Sequence, residues 1–276
     1  MKRIITVQDI SCVGKCSLTV ALPIISAAGV ETAVLPTAVL STHTQFPTFT
    51  FCDLTDEIPK ISEAFTSLDI GFDAIYTGYL GSQRQLGLVS DFIDAHPEAT
   101  VVIDPVMADN GVLYKGFSPE FPSLMAALCA KADLIIPNLT EASFMLGIPY
   151  NPDYDEEYIR DVLKRLTALG SRYAALTGIG FAEGEIGVYS YDSATDTYFS
   201  YFNEKLPVQY HGTGDVYASA TVGALMRGFS VNEALAIAVD FTLECMRKTL
   251  ADPDRRFYGV SFEEALPYYI SRLGTN

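Results

Sequence analysis

Short apolar runs alternate along the chain with longer stretches whose apolar residues recur at helical spacing. The runs Ile4–Asp9, Thr32–Pro36, Ala74–Thr77, Thr100–Asp104, Leu134–Pro137 and Tyr173–Thr177 predict buried strands. Between them, Lys15–Ala28, Leu54–Ser67, Gln83–Ala95, Glu120–Lys131 and Asp155–Leu169 predict amphipathic helices. Such alternation marks a mainly parallel sheet covered by helices on both faces, an α/β fold. The pattern changes after residue 177. Glu185–Tyr191 and Thr197–Asn203 flank a polar loop and predict an antiparallel hairpin, and helices over Thr213–Arg227 and Val231–Lys248 close the chain. No repeat, low-complexity segment or linker interrupts residues 1–276, so the expectation is a single domain.

Composition narrows the function. The 276 residues carry 34 acidic against 18 basic side chains, a net charge of −16. That balance, with no basic cluster beyond pairs such as Arg247-Lys248, disfavours a nucleic-acid or anionic-membrane surface. The longest apolar stretch, Leu18–Val30, is about 13 residues and contains Pro23, against roughly 20 needed to span a bilayer. The apolar start Ile4–Val7 ends too early, at Gln8 and Asp9, for a secretory signal. Five cysteines form no C-x-x-C pair and read as reduced thiols of a cytoplasmic protein.

Unusual residues gather at the predicted carboxyl ends of the strands, where open α/β sheets bind ligands. They are Asp9-Ile10-Ser11, Thr77-Gly78-Tyr79, Asp104-Pro105-Val106-Met107, Pro137-Asn138-Leu139-Thr140-Glu141 and Thr177-Gly178-Ile179-Gly180. The sharpest local signal is His211-Gly212-Thr213-Gly214-Asp215, followed by a helix rich in small residues. Its glycines allow a tight turn with outward N–H groups, and the helix N-terminus adds positive potential, so the loop suits a phosphate without a lysine. Asp215 has two readings. It is a favourable first-turn charge, or a general base that takes a hydroxyl proton as the oxygen attacks a phosphate held by the same loop. Other motifs fail: Gly14-Lys15-Cys16 lacks the spacing and the Ser/Thr of a P-loop, and His43, His96 and His211 offer neither a zinc set nor an evident triad.

Gly212-Thr213-Gly214-Asp215 resembles the signature of the ribokinase-like superfamily. With Ser41-Thr42-His43-Thr44-Gln45, Thr77-Gly78-Tyr79-Leu80-Gly81-Ser82, Asp104-Pro105-Val106-Met107 and Pro137-Asn138-Leu139-Thr140-Glu141, the chain resembles the pyridoxal/pyridoxamine (vitamin B6) kinases over nearly its whole length. The resemblance implies a three-layer α/β/α fold and transfer of the ATP γ-phosphate to the 5′-hydroxyl of a B6 vitamer. It makes Asp215 the base and Gly212, Thr213 and Gly214 the anion hole. Val39, His43, Thr44 and Tyr79 fall where the family lines its pyridine pocket, beside Asp9 and Ser11. Asp104, Asn138 and Glu141 match positions near the phosphates, with Asp104 and Glu141 at the Mg²⁺ ion. Thr177 and Gly178 lie where the family meets the nucleotide, and Asp109 and Tyr114 in a loop that closes over ATP. Family members are commonly homodimers.

Two positions depart from the pattern. Asp9 stands where many pyridoxal kinases carry serine, so it either favours a cationic amine, as in pyridoxamine, or binds Ser11 in its own turn. Ile136 replaces a threonine of some relatives. The run Phe46–Phe51 predicts a half-buried strand, as a flap or an intersubunit edge. Competing functions are hydroxymethylpyrimidine kinase, a sugar kinase, and a non-catalytic vitamin- or nucleotide-binding protein on the same fold.

Overall fold

The computed structural model describes residues 1–274. Its elements are, in chain order, β1 (Arg3–Val13), α1 (Leu18–Ala27), β2 (Glu31–Thr42), β3 (Phe51–Asp53) and α2 (Ile58–Ser67). Next come β4 (Ala74–Thr77), α3 (Gln83–Asp94), β5 (Thr100–Ile103), the short hairpin β6 (Ala108–Asp109) and β7 (Val112–Leu113), and α4 (Phe121–Cys129). They are followed by β8 (Leu134–Ile135), α5 (Leu139–Leu146), α6 (Glu156–Thr167), β9 (Tyr173–Ile179), β10 (Glu185–Asp192) and β11 (Thr197–Glu204). Helices α7 (Thr213–Met226), α8 (Val231–Ala251) and α9 (Phe262–Arg272) finish the order. Contacts divide the chain into two compact units, one built from both ends (1–73 and 203 onward) and one from residues 74–202. Among the described residues no helix is long and apolar enough to cross a membrane.

In the first unit β1 pairs in parallel with β2, and the short β3 lies antiparallel on β2. Ile4, Ile5 and Val7 of β1 are fully buried, as are Ile24 and Ile25 of α1. Helix α7 is buried continuously from Val216 to Ala224, so it has no polar face to show and no amphipathic pattern. Its small residues permit close packing. A Cβ at Gly223 would lie 2.3 Å from Tyr269 Oη, and that hydroxyl donates to the Ala220 carbonyl at 2.8 Å.

In the second unit the strand order is β11-β10-β9-β8-β5-β4, parallel through β9 and antiparallel from β9 to β10. Val101, Val102 and Ile103 of β5 and Ala174, Ala175 and Leu176 of β9 are buried, the continuous apolar runs of strands covered on two faces. Helix α6 follows the amphipathic pattern, with Ile159, Val162, Leu163 and Leu166 buried, Asp155 as its N-cap and Lys164 and Arg165 in its last turn.

The predicted elements hold with corrections: the helix expected from Leu54 opens as a 3₁₀ turn over Thr55–Glu57 and becomes α2 only at Ile58, and the strand expected to Pro137 ends at Ile135. Strands β1 and β2 run on to Val13 and Thr42, because beyond Asp9 and Pro36 the two stay paired, Ile10 with Val39 through Val13 with Thr42. Helix α1 begins at Leu18, three residues late, after a tight turn at 14–17. Helices α5 and α9 were not anticipated; α5 has eight residues, six of them buried, and α9 contains Pro267. The expected half-buried strand over Phe46–Phe51 is absent: β3 starts only at Phe51, and Phe49 and Phe51 are 45% and 53% exposed.

Candidate active site

The first unit carries the glycine loop. Gly212 is the N-cap of α7 in the left-handed conformation (φ 77°, ψ 3°), and the Lys15 carbonyl packs so tightly on it that a Cβ would sit 1.8 Å from that oxygen. Only glycine meets both demands. Thr213 Oγ1 donates to the Tyr210 carbonyl at 3.2 Å, fixing the entry to the helix. Gly214 is exposed, and no heavy atom stands within 4 Å of where its Cβ would be.

Asp215, half-buried in the first turn of α7, has its carboxyl pushed up to about 7. Burial is the main cause. The Ser17 amide, which donates to the carboxylate, opposes the rise, and the nearby Asp9 charge adds to it. Asp9 is buried on β1 at a break in pairing: Gln8 faces Pro36 but Ile10 faces Val39, so β2 carries an extra residue there. Pro36 has no N–H for the ladder, and such bulges re-aim side chains. Asp9 accepts from Ser11 Oγ at 3.1 Å, the second of the two roles expected of it, and from the Ser17 hydroxyl. Burial raises its carboxyl above the usual range, while these hydroxyls and His43 pull it down. Cys16 lies against the same groups, and burial with the two carboxylates pushes its thiol up to about 12.

Of the residues expected to line the pyridine pocket, Val39 is half-buried on β2 and Thr44 is exposed. His43, expected beside them, is held by the chain itself. Its Nδ1 accepts from the Gln45 amide at 3.1 Å, and Nε2 bonds the Tyr258 carbonyl at 3.0 Å. With both ring nitrogens engaged and Phe46, Tyr258 and His211 packed around the ring, buried His43 ties the segment after β2 to the segment at Tyr258.

The second unit carries an acidic corner. Asn138 caps α5 in a reciprocal capping box: Glu141 N donates to Asn138 Oδ1 at 2.9 Å, and Asn138 N to Glu141 Oε2 at 2.9 Å. Glu141 Oε1 also accepts from Met107 N at 3.1 Å, and Asn138 Nδ2 donates to the Ala108 carbonyl at 2.9 Å. Burial raises the Glu141 carboxyl well above the ordinary range, against the pull of these amides. Asp104, buried just past β5, and Glu141 both act on the Cys129 thiol, which burial and their charges push upward.

Between β6 and β7, Asn110 (φ 50°) and Gly111 (φ 76°) make the tight turn that Asn-Gly favours, and the exposed Asp109 accepts from both nitrogens of Asn110. Tyr114 is exposed just beyond. Thr177 N donates to the Pro137 carbonyl at 3.0 Å, tying β9 to the start of α5, and Gly178 follows exposed with φ 73°. Tyr79 is half-buried, its ring 5.7 Å from that of Phe117.

Thus Asp9, Ser11, Gly212, Thr213, Gly214 and Asp215 come together in the first unit, and Asp104, Asn138 and Glu141 in the second. Two contributors escaped the sequence reading. Gly14–Ser17 registered only as a failed P-loop, yet it supplies the Lys15 carbonyl and the Ser17 amide. The capping box was readable, as Asn-x-x-Glu ahead of an apolar run.

A model of the phosphomethylpyrimidine kinase family matches residues 22–255. The chain belongs to that family. This kinase is 30% identical to the pyridoxine kinase of Bacillus subtilis over 199 residues, 71% of each chain. A Bacteroides thetaiotaomicron protein named for phosphomethylpyrimidine kinase activity and crystallised with pyridoxal shares 42% identity, with a TM-score of 0.92 over 97% of this chain and 95% of that one. The pyridoxal kinase of Lactobacillus plantarum shares 30% identity and a TM-score of 0.92 over 98% and 97%. The kinase has the ribokinase-like α/β/α fold expected from its motifs, within the pyridoxal kinase branch of that superfamily.

Proposed function

We propose that the protein transfers the γ-phosphate of ATP to the 5′-hydroxyl of a B6 vitamer, with Asp215 as general base. The observation that carries this is Asp215 itself, a carboxyl raised to about 7 one residue past exposed Gly214 at the N-terminus of α7. A base poised near neutrality can accept the hydroxyl proton, and the Gly212–Gly214 amides with the helix dipole suit the charge that develops on the transferring phosphoryl group. Likeness to the Bacillus subtilis pyridoxine kinase and to the Bacteroides protein that holds pyridoxal supports a pyridine substrate. In this reading Val39, His43, Thr44, Tyr79, Asp9 and Ser11 receive the ring, and Asp109, Tyr114, Asn138, Thr177 and Gly178 serve the nucleotide. We read the two units as one kinase domain, because the family match spans both.

Mg²⁺ fits the acidic corner by donor chemistry. Asp104 and Glu141 bring two buried carboxyl groups to this corner, and the Glu141 oxygens, each taken by a backbone amide, keep a further lone pair apiece for a hard cation. One or two carboxylates plus water and phosphate oxygens is the usual way Mg²⁺ is held. When bound it offsets the charge of the phosphates.

The name of the family, and likeness to hydroxymethylpyrimidine/phosphomethylpyrimidine kinases, favour a second substrate class, hydroxymethylpyrimidine. A panel of purified protein with MgATP and pyridoxal, pyridoxamine, pyridoxine or hydroxymethylpyrimidine, reading phosphorylated product directly, decides between them. We expect kcat/KM for at least one B6 vitamer to exceed that for the pyrimidine by about tenfold or more. Phosphorylation of the pyrimidine alone would overturn the vitamin reading.

A further inference from the structure

The hairpin of β6 and β7 is too short to place itself. Its ladder has two residue pairs, Ala108 with Leu113 and Asp109 with Val112, and a two-stranded ribbon of that size is marginal in water. What it is tied to sets its position, and the ties converge on the first turn of α5. Two of them hold the root: Glu141 Oε1 accepts from Met107 N, and Asn138 Nδ2 donates to the Ala108 carbonyl. A third holds the tip. Gly111 N, in the turn itself, donates to Thr140 Oγ1 at 3.0 Å. The ring of Tyr150 lies against the same turn, so close that a Cβ on Gly111 would stand 2.9 Å from its Cδ1. All of these residues belong to the second unit.

Helix α5 has no use for the Thr140 hydroxyl. Asn138 and Glu141 already complete its capping box, and Thr140 is buried, where valine would fill the same space with no polar atom to satisfy. A hydroxyl kept there is explained by the Gly111 amide. Nor does the tip bury enough to hold itself down: Asp109 and Asn110 are exposed, and Val112 is 65% exposed. We propose that Thr140 is a positioning residue for the nucleotide, its hydroxyl pinning the hairpin tip while the Tyr150 ring supports the turn, so that Asp109 and Tyr114 keep a fixed place beside the acidic corner. The proposal rests on the reading of those two residues as serving the nucleotide. A hairpin pinned at root and tip presents them in one arrangement before the ligand arrives. Pinned at the root alone, it is docked for only part of the time, and affinity falls in proportion to the docked fraction.

The test compares the full chain as wild type, Thr140→Val, Thr140→Ser, Tyr150→Ala and Tyr150→Phe. Hydrogen–deuterium exchange of the unliganded protein reads opening across residues 107–114, and titration calorimetry reads the Kd for MgATP. Removing the acceptor in Thr140→Val should speed exchange at Gly111 and its neighbours about two- to tenfold, the net worth of one hydrogen bond, and raise the Kd about twofold or more. Thr140→Ser keeps the acceptor and should match wild type in both measurements. Tyr150→Ala, at an exposed position outside α5, should act as Thr140→Val does, and Tyr150→Phe, which keeps the ring, as wild type. Exchange at the wild-type rate in both Thr140→Val and Tyr150→Ala would overturn the proposal, as would a Thr140→Ser hairpin that opens as readily as that of Thr140→Val. Faster exchange with an unchanged Kd would also overturn it where an Asp109→Ala/Tyr114→Ala variant binds MgATP more weakly than wild type. If that variant binds as tightly as wild type, the nucleotide role of the hairpin falls first, and the proposal with it.

Discussion

Replacing Gly212 by alanine tests whether the loop is built on backbone contact. The added Cβ would lie 1.8 Å from the Lys15 carbonyl oxygen, at a residue held with φ of 77°. Left-handed backbone costs a side-chain residue about 1–2 kcal/mol, and forcing a main-chain shift to clear an overlap adds about 1–3 kcal/mol. The sum, about 2–5 kcal/mol, corresponds to a melting-temperature loss of roughly 5–15 °C in a protein of this size. The displaced segment includes the turn that carries the Ser17 amide, so kcat should fall by about tenfold or more in addition. Gly214→Ala is the internal control. Its Cβ meets no heavy atom within 4 Å, so the fold should melt at or above the wild-type temperature, while the methyl crowds the space before the amides and raises the KM for MgATP. Differential scanning calorimetry and initial rates read both effects. A Gly212→Ala protein melting within about 2 °C of wild type, or equal destabilisation by both substitutions, would refute the reasoning.

The base should cost the fold stability. The Asp215 carboxyl rises from 3.8 to about 7 on folding, so the proton is held more tightly in the native state, and stability is lost as pH climbs between those values. Asp215→Asn should therefore lower kcat by about two to four orders of magnitude yet become more stable than wild type. Its advantage in urea unfolding should grow from about pH 4 to about pH 7 and level off above, reaching about 2–4 kcal/mol; an advantage that shrinks with pH would contradict the sign. Glu141→Ala strips the acceptor from the buried amides of Asn138 and Met107, each about 1–3 kcal/mol to leave unsatisfied, partly offset by removing a buried carboxyl. Denaturant unfolding should show a net loss above about 1 kcal/mol and equilibrium dialysis weaker ATP binding; unchanged stability would mean that the capping box is dispensable.

How much of this was legible depended on sequence distance. The strand–helix alternation and the Gly212–Asp215 loop are local patterns, and they appear where periodicity and glycine chemistry put them. The latch on His43 joins residues 215 positions apart, so nothing in the His-Thr-Gln segment itself announces the tie to Tyr258. Gly14–Ser17 has no motif of its own, and its importance lies in what folds against it. Asp9 was visible as an odd carboxylate at a strand end, but the bulge that turns it depends on Pro36 in the neighbouring strand. Phe49 and Phe51 mislead in the opposite way: alternating aromatics look like a half-buried strand, yet pairing starts only at Phe51, and both residues stand about half exposed.

The unit that carries Asp215 is assembled from residues 1–73 and from residue 203 onward, with the whole of the other unit translated between them. On the ribosome, β1 and the Lys15–Ser17 turn emerge about 200 residues before the glycine loop that needs them, whereas residues 74–202 are contiguous and can collect their contacts as they appear. Distant pairings of this kind are slow to close. During synthesis, then, residues 74–202 with the acidic corner around Glu141 can assemble well before the glycine loop exists, and a nascent chain halted before residue 212 holds Asp9 and the Lys15–Ser17 turn with neither the loop nor Asp215.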